Sequence, residues 1–411
     1  MPHPSTPAIL AVFSLTYLGI AAGRVPGLKL NRIGIAILGA IAITIFSGLP
    51  TNDVIGFVNW PTLLLLFGFF VLSAQLRLSG FFDWVAGGIS ARLGHPGWFL
   101  LTLMLSTAGL SAFLNHDIVC FVFTPIVGMA LLQRGLNPVP FLVALAISSN
   151  IGSAATLIGN SQDMLIAQTA GLGFGRYALW CIPPVLLSLG CAHGLIWALS
   201  KGSLALQGPV PPDAGAPPRP LDRAHTAKGL VIFALVIAFF FTSIPKEIIA
   251  LTAAGIHLAS PKFRTEDMLA LVDWPILVLF MGLFVVTGAF QATGCGDIAV
   301  RWLAHAGVSL ASPSVLAVVT AALSNLIGNA AAVLLLVKVV NLAHPATAYV
   351  LALANSFGGS LVIIGSVSNI IVVQQARQLG IDISFRSFAR LGVPVTLASL
   401  AVLLAWASIL G

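Results

Sequence analysis

Inside a strongly apolar sequence, four short regions carry side chains that could hold an ion. The sharpest is Leu114-Asn115-His116-Asp117, an amide, an imidazole and a carboxylate in succession with apolar runs on either side. A carboxylate in such surroundings costs about 3 kcal/mol or more unless it is paired, hydrated or protonated. A group of that kind earns its place by loading and releasing a proton or a cation. His116 beside it is of the residue type that ordinarily titrates near neutral pH. The competing reading is a hydrogen-bonded carboxylate that caps the following helix. Asp163 ends the run Gly159-Asn160-Ser161-Gln162-Asp163, at the start of a helix after a break, where capping and ion binding are both natural.

The other stretches are neutral. They are Ser324-Asn325-Leu326-Ile327-Gly328-Asn329, Ser148-Ser149-Asn150-Ile151-Gly152-Ser153, Asn355-Ser356-Phe357-Gly358-Gly359-Ser360 and Gly365-Ser366-Val367-Ser368-Asn369. Glycine, serine and asparagine break helices and expose backbone groups that lipid cannot satisfy. At membrane depth such backbone persists only where it is packed in protein or lines a watery cavity. Half-helix N-termini there offer N–H groups to an anion, while C-terminal ends and side-chain oxygens offer acceptors to a cation. Small residues at helix interfaces would explain any single cluster. Clusters at matching places in two halves point to a site.

Composition shows what must position these residues. Of 411 residues, 58% are hydrophobic and 8% charged, against roughly a quarter charged in a soluble domain. Most of the surface must therefore face lipid. The net charge of +7 does not indicate nucleic acid, because the Lys and Arg sit in short loops between apolar runs. The four cysteines (Cys120, Cys181, Cys191 and Cys295) have no metal-ligand spacing and read as buried apolar residues. His95, His225, His305 and His344 read as solvated loop residues. The opening MPHPSTPAIL has no basic stretch, so the first apolar run is expected to be a retained span.

Apolar runs cover 8–22, 33–48, 61–76, 98–132, 141–170 and 177–199. A linker over 201–228 follows, with six prolines and with Asp213, Arg219, Asp222 and Arg223. The runs then recur at 229–243, 248–258, 275–289, 315–340, 349–373 and 391–409. Residues recur with them. Asn59-Trp60-Pro61 returns as Asp273-Trp274-Pro275, Gly80 as Gly294 and Asn115 as Asn329, all 214 positions on. Gly152 and Gly159 return as Gly358 and Gly365 with the offset at 206.

Suppose that the N-terminus is outside and that each half makes five crossings plus a hairpin returning to its own side. Fifteen of the nineteen Lys and Arg, Arg24, Lys29, Arg32 and Arg92 among them, then fall on the cytoplasmic side. Five crossings per half require the second half to be inverted, an arrangement that supports alternating access. The second hairpin, 312–342, has arms of about fifteen residues where a full span needs about 20. It is expected to be re-entrant, and duplication extends that expectation to 97–135.

Asn115-His116-Asp117 followed by Phe123-Thr124-Pro125-Ile126-Val127, together with Ser149-Asn150-Ile151-Gly152-Ser153-Ala154-Ala155-Thr156-Leu157-Ile158-Gly159-Asn160, resembles the ion transporter superfamily. That superfamily includes arsenite efflux permeases, sodium–proton antiporters of the NhaD type and divalent-anion/sodium symporters. The stretch 355–369 looks like the second-half equivalent, and the likeness spans nearly the whole chain. It implies outer scaffold spans around a mobile transport domain that holds the hairpins and broken helices. His116 stands where arsenite permeases typically have Asn before the Asp, and neither tip has the Ser-Asn-Thr of the dicarboxylate symporters. The sequence is nearer the bacterial anion-permease branch, with its citrate-transporter-like domain.

The expected fold is an all-α polytopic membrane protein of two inverted repeats, 1–200 and 229–411, joined by a cytoplasmic linker at 201–228. Each repeat has about five spans, one of them broken (about 140–170 and 347–375), plus a hairpin. The expected function is secondary transport, not enzyme catalysis, of a small anion or an oxyacid such as arsenite, coupled to H+ or Na+. A cation–proton antiporter and a passive anion channel are the alternatives. Expected substrate or ion-binding residues are Asn115, His116, Asp117, Ser149, Asn150, Gly152, Ser153, Thr156, Gly159, Asn160 and Asp163 in the first half. Those of the second are Asn325, Asn329, Asn355, Ser356, Gly358, Gly359, Ser360, Gly365, Ser366 and Asn369. No metal or cofactor is expected beyond the coupling ion. The partners are the small-ion substrate and a bacterial-type inner membrane, with both termini outside, no nucleic acid, and scope for a homodimer.

Overall fold

Polar side chains mark where helices begin. Asn31 accepts from the Gly34 N–H at 3.0 Å, Asn59 from Thr62 at 3.0 Å and Asp273 from Ile276 at 3.1 Å. The last two precede Trp-Pro pairs whose proline belongs in the first helical turn. The computed structural model describes residues 5–22, 30–90, 96–203, 219–296, 298, 301, 305 and 309–410. Arg24, Lys29, Arg92, His95, Asp213 and linker positions 204–218 lie outside the described residues.

The first series of helices is α1 (Thr6–Ala22), α2 (Arg32–Phe46), α3 (Thr51–Gly56), α4 (Trp60–Leu78), α5 (Phe81–Ser90), α6 (Pro96–Phe113), α7 (His116–Gln133), α8 (Pro138–Ser153), α9 (Ser161–Ala170) and α10 (Phe174–Ser200). The second is α11 (Arg223–Phe239), α12 (Lys246–Leu258), α13 (Thr265–Leu269), α14 (Trp274–Ala292), α15 (Pro313–Ile327), α16 (Asn329–Val339), α17 (Pro345–Gly358), α18 (Val367–Gln378) and α19 (Phe385–Leu410). Among the described residues there is no strand, and six helices (α4, α6, α7, α10, α14 and α19) are long and apolar enough to cross a membrane.

Packing is reciprocal between the two series. Helix α2 lies on α14 and α4 on α12, while α6 pairs with α8 and α15 with α17. Glycines allow the first two contacts. A Cβ on Gly68 would stand 2.8 Å from the Ala250 carbonyl carbon, and one on Gly282 would stand 2.9 Å from the Ala36 oxygen. Both members of that pair of contacts are 214 positions apart, and small residues are what let helix backbones approach so closely. Helices α8 and α17 are buried along nearly their whole length although they carry Ser, Asn and Gly. The candidate chemistry thus occupies the centre of the molecule.

Several local expectations need correction. The arms of the first hairpin are 18 residues each and those of the second 15 and 11, so the two hairpins, matched in sequence, differ in arm length. Cys191 is exposed on α10 and Cys295 partly exposed, since a thiol is apolar enough for the outer face of an apolar helix. His225 is in the first turn of α11 with its Nδ1 3.0 Å from Asp222 Oδ2. It is a capped helix residue, not a solvated loop residue.

Candidate transport site

The tip of the first hairpin is docked into the break between α8 and α9. His116 donates its backbone N–H to Gly159 O at 3.3 Å and receives the Ser149 hydroxyl on its own carbonyl at 3.2 Å. Ser149 also meets Ser111 at 2.9 Å, and the Thr156 hydroxyl donates to Ala112 O. Asn115 caps α7 by accepting from Asp117 N at 2.8 Å, so the Asp117 carboxylate is free of that duty. Its Oδ1 has no hydrogen-bond partner; the nearest cationic candidate is His116 Nε2 at 3.5 Å.

After the break, Asn160 and not Asp163 caps α9, accepting from Asp163 N at 2.7 Å. Asn160 Nδ2 donates to Asp163 Oδ2 at 2.8 Å and Ser153 Oγ at 2.9 Å, and lies 3.3 Å from Ser356 Oγ. Asp163 is fully buried, with the Tyr177 hydroxyl beside its carboxylate.

The second half repeats the arrangement with neutral groups. Ser324 donates to Asn355 Oδ1 at 2.7 Å, and Asn325 donates to Gly358 O at 2.8 Å. Asn369 donates to Gly359 O at 2.7 Å and Val362 O at 3.0 Å. The two breaks are tied together at Asn150, which donates to Asn369 Oδ1 at 2.8 Å and accepts from Ser368 at 3.0 Å. Close approach fixes the glycines. A Cβ on Gly152 would stand 2.3 Å from Ala108 Cα and one on Gly358 2.7 Å from Ala321 Cα; on Gly159 and Gly365 it would meet Ser153 O at 2.1 Å and Asn325 Oδ1 at 2.3 Å. Ser360 is buried with its hydroxyl unpartnered.

A cavity of about 570 Å³ opens between the two hairpin tips. Of the expected site residues it is lined by His116, Asp117, Asn329, Gly365 and Ser366. Asn150, Asn160, Asp163 and the other expected residues do not line it. The cavity also takes in residues that were not among the expected ligands: Asn31 and Arg32 at the start of α2, Asp273 before α14, Gln162, and Gln374 on α18. Asp273 was visible as the first residue of a repeated Asp-Trp-Pro, and Arg32 was visible only as one loop charge among many. Asp273 and Asp117 interact electrostatically across the space. The positions matched by the repeat offsets are in contact with each other. Gln374 corresponds to Gln168 and Ile33 to Glu247, and there Gln168 Nε2 donates to Glu247 Oε2 at 3.0 Å. Among the described residues, no group of three or more His, Cys, Asp or Glu could hold a metal ion.

The pattern of the citrate transporter family matches residues 17–351. The chain belongs to that family. Its members are membrane transporters rather than enzymes, which implies a small-molecule substrate and embedding in a bilayer. An uncharacterized transporter of Mycobacterium tuberculosis is 30% identical to this family member, with 96% of both chains covered. The silicon efflux transporter of rice, Oryza sativa subsp. japonica, is 28% identical over 92% of both. Among solved structures, the YdaH transporter of Alcanivorax borkumensis superposes with a TM-score of 0.59 at 15% identity, covering 100% of this chain and 98% of that one. The MtrF efflux pump of Neisseria gonorrhoeae gives 0.61 at 15%, with 100% and 95% covered. These two likenesses establish the fold alone.

Proposed function

We propose that this member of the citrate transporter family exchanges a small oxyacid, carrying at most one negative charge, for protons by alternating access. The observation that carries the reading is the charge lining the cavity: two carboxylates, Asp117 and Asp273, against one guanidinium, Arg32. A citrate trianion would meet net repulsion there. A weak acid with several hydroxyls, such as arsenite or silicic acid, finds acceptors in the carboxylates and donors in Arg32, Asn31, Gln162 and Gln374. The rice relative, named for silicon efflux, supports this class. Asp117 is the coupling carboxylate in this reading, since the residue lines the cavity and its buried Oδ1 has no protein donor.

The charge bias of the loops puts Arg32, Asp273 and the end of α18 on the cytoplasmic side of a bacterial-type inner membrane, with the termini outside and the halves inverted. The cavity is then open inward, and the Gln168–Glu247 contact closes the outward path. A second reading, cation–proton antiport, is favoured by Asp163, a fully buried carboxylate joined through Asn160 to the hydroxyls of Ser153 and Ser356, oxygens that could help to hold a sodium ion.

Proteoliposomes with an imposed pH gradient test both. Accumulation of arsenite or silicic acid above equilibrium, with citrate left behind, is the expected result and also excludes a passive channel. Accumulation of citrate alone overturns the substrate class. Sodium-driven proton movement without any solute establishes the antiport reading in its place.

A further inference from the structure

The search for unused chemistry ends at Arg32. The guanidinium is half-buried in the cavity wall, and among the described residues it has neither a hydrogen bond nor an ion pair; the ion pairs present involve other cations. A guanidinium presents five N–H donors in a planar fork that suits two oxygens of one oxyanion. Its Nη1 lies 2.9 Å from the place a Cβ on Gly328 would occupy, so it rests directly on the tip of the second hairpin. Gly328 has φ +87°, a conformation other residues rarely adopt, and the missing side chain is what leaves space for the arginine.

Helix α16 starts at that same point. It runs for 11 residues, and no side chain caps its first turn, so its leading N–H groups and the positive end of its dipole are uncommitted to a side chain. Asn329, the first residue of the helix, is about nine-tenths buried, lines the cavity and has an unpartnered Oδ1, which can accept only from a protonated hydroxyl of a solute. The cavity wall thus carries two carboxylates, Asp117 and Asp273, together with Arg32 and the start of α16. The tip of the first hairpin differs, for Asn115 caps α7 and Asp117 puts a carboxylate in its first turn.

We infer that Arg32 and the Gly328-Asn329 tip form an oxyanion-docking pole that binds the ionised or most acidic oxygen of the solute, leaving its hydroxyls to the carboxylates. The inference rests on the cavity being the transport site. It also assigns the second half a ligand role of its own, anion recognition, beside the proton chemistry of the first.

The test is saturable thermal stabilisation of the purified full-length protein by inorganic phosphate, arsenate and silicate, against chloride at matched ionic strength. At least one oxyanion should stabilise the wild type, and Arg32→Gln should weaken that binding tenfold or more. Arg32→Lys, which keeps the charge and loses the fork, should fall between. Arg264→Gln, which removes an exposed cation away from the cavity, should bind as wild type. Failure of every oxyanion to stabilise the wild type overturns the inference, as does equal binding by Arg32→Gln. Should Arg32→Gln not fold, Arg32→Lys decides: unchanged affinity overturns. Arg32-dependent oxyanion binding without proton-driven flux would sink the proposed function and leave the docking pole standing.

Discussion

Removing the amide that ties the two broken helices together should destabilise the protein by a calculable amount. Asn150 is about 1% exposed and makes two hydrogen bonds across the halves, to Asn369 Oδ1 at 2.8 Å and from Ser368 at 3.0 Å. In Asn150→Ala the Ser368 hydroxyl keeps Ser366 at 2.8 Å, so that loss adds little. Asn369 Oδ1 keeps no donor, and a buried unpaired acceptor costs about 1–3 kcal/mol. Asn369→Ala should cost more, because it strips the Gly359 and Val362 carbonyls as well as the Asn150 amide. The double variant should cost less than the sum, since both single changes break the same bond; a shortfall of about 1 kcal/mol is typical of residues in one network. Chemical unfolding in detergent micelles reads all three. Asn150→Ala within about 0.5 kcal/mol of wild type, or strict additivity in the double variant, would refute the claim that this bond joins the halves.

Three further outcomes are expected. Asp117→Asn should fold and insert normally while abolishing proton-driven flux, and flux with an unaltered pH profile in that variant would remove Asp117 from the coupling step. Gln168→Cys with Glu247→Cys, in a background with Cys191 and Cys295 replaced by serine, should accept a short thiol cross-linker that stops transport until reductant is added; continued flux in the bridged protein would show that this contact does not gate. The Lys262 ammonium first, then the His225 backbone N–H, hold the Asp222 carboxyl well below the usual carboxylate range. A depressed folded-state value contributes stability that is present above the unfolded value, about 3.9, and is lost as pH falls through the folded one. The stabilisation of wild type over Asp222→Asn, read as a difference in thermal midpoint, should therefore shrink as pH falls below about 4. A difference undiminished between about pH 5 and about pH 2.5 would contradict the assignment.

How much of this was legible beforehand follows from which interactions are local. Helix starts such as Asn59-Trp60-Pro61 and Asp273-Trp274-Pro275 announce themselves, because capping and proline placement are settled within a few residues. The breaks at 154–160 and 359–366 were visible for the same reason: Gly, Ser and Asn cannot continue an apolar helix without partners. The short helices α3, α5 and α13 were not, since none of them makes a long apolar run. Cavity membership was illegible for a different cause. Arg32 joins the site only because α2 of one half packs on α14 of the other and delivers its first residue to a hairpin tip about 300 positions away in sequence. A count of loop charges treats it as it treats Arg24 or Arg92. Repeat offsets do carry a usable signal, though a subtle one. Arg32 maps onto Lys246 and Asp273 onto Asn59, so each half differs from its twin in charge or donor geometry at the positions that meet the cavity. The matched positions keep the close-packed glycines of both breaks and differ in the groups that line the cavity. In an inverted-repeat chain, mismatched ionisable residues at matched helix starts are therefore the first positions to examine for substrate contact.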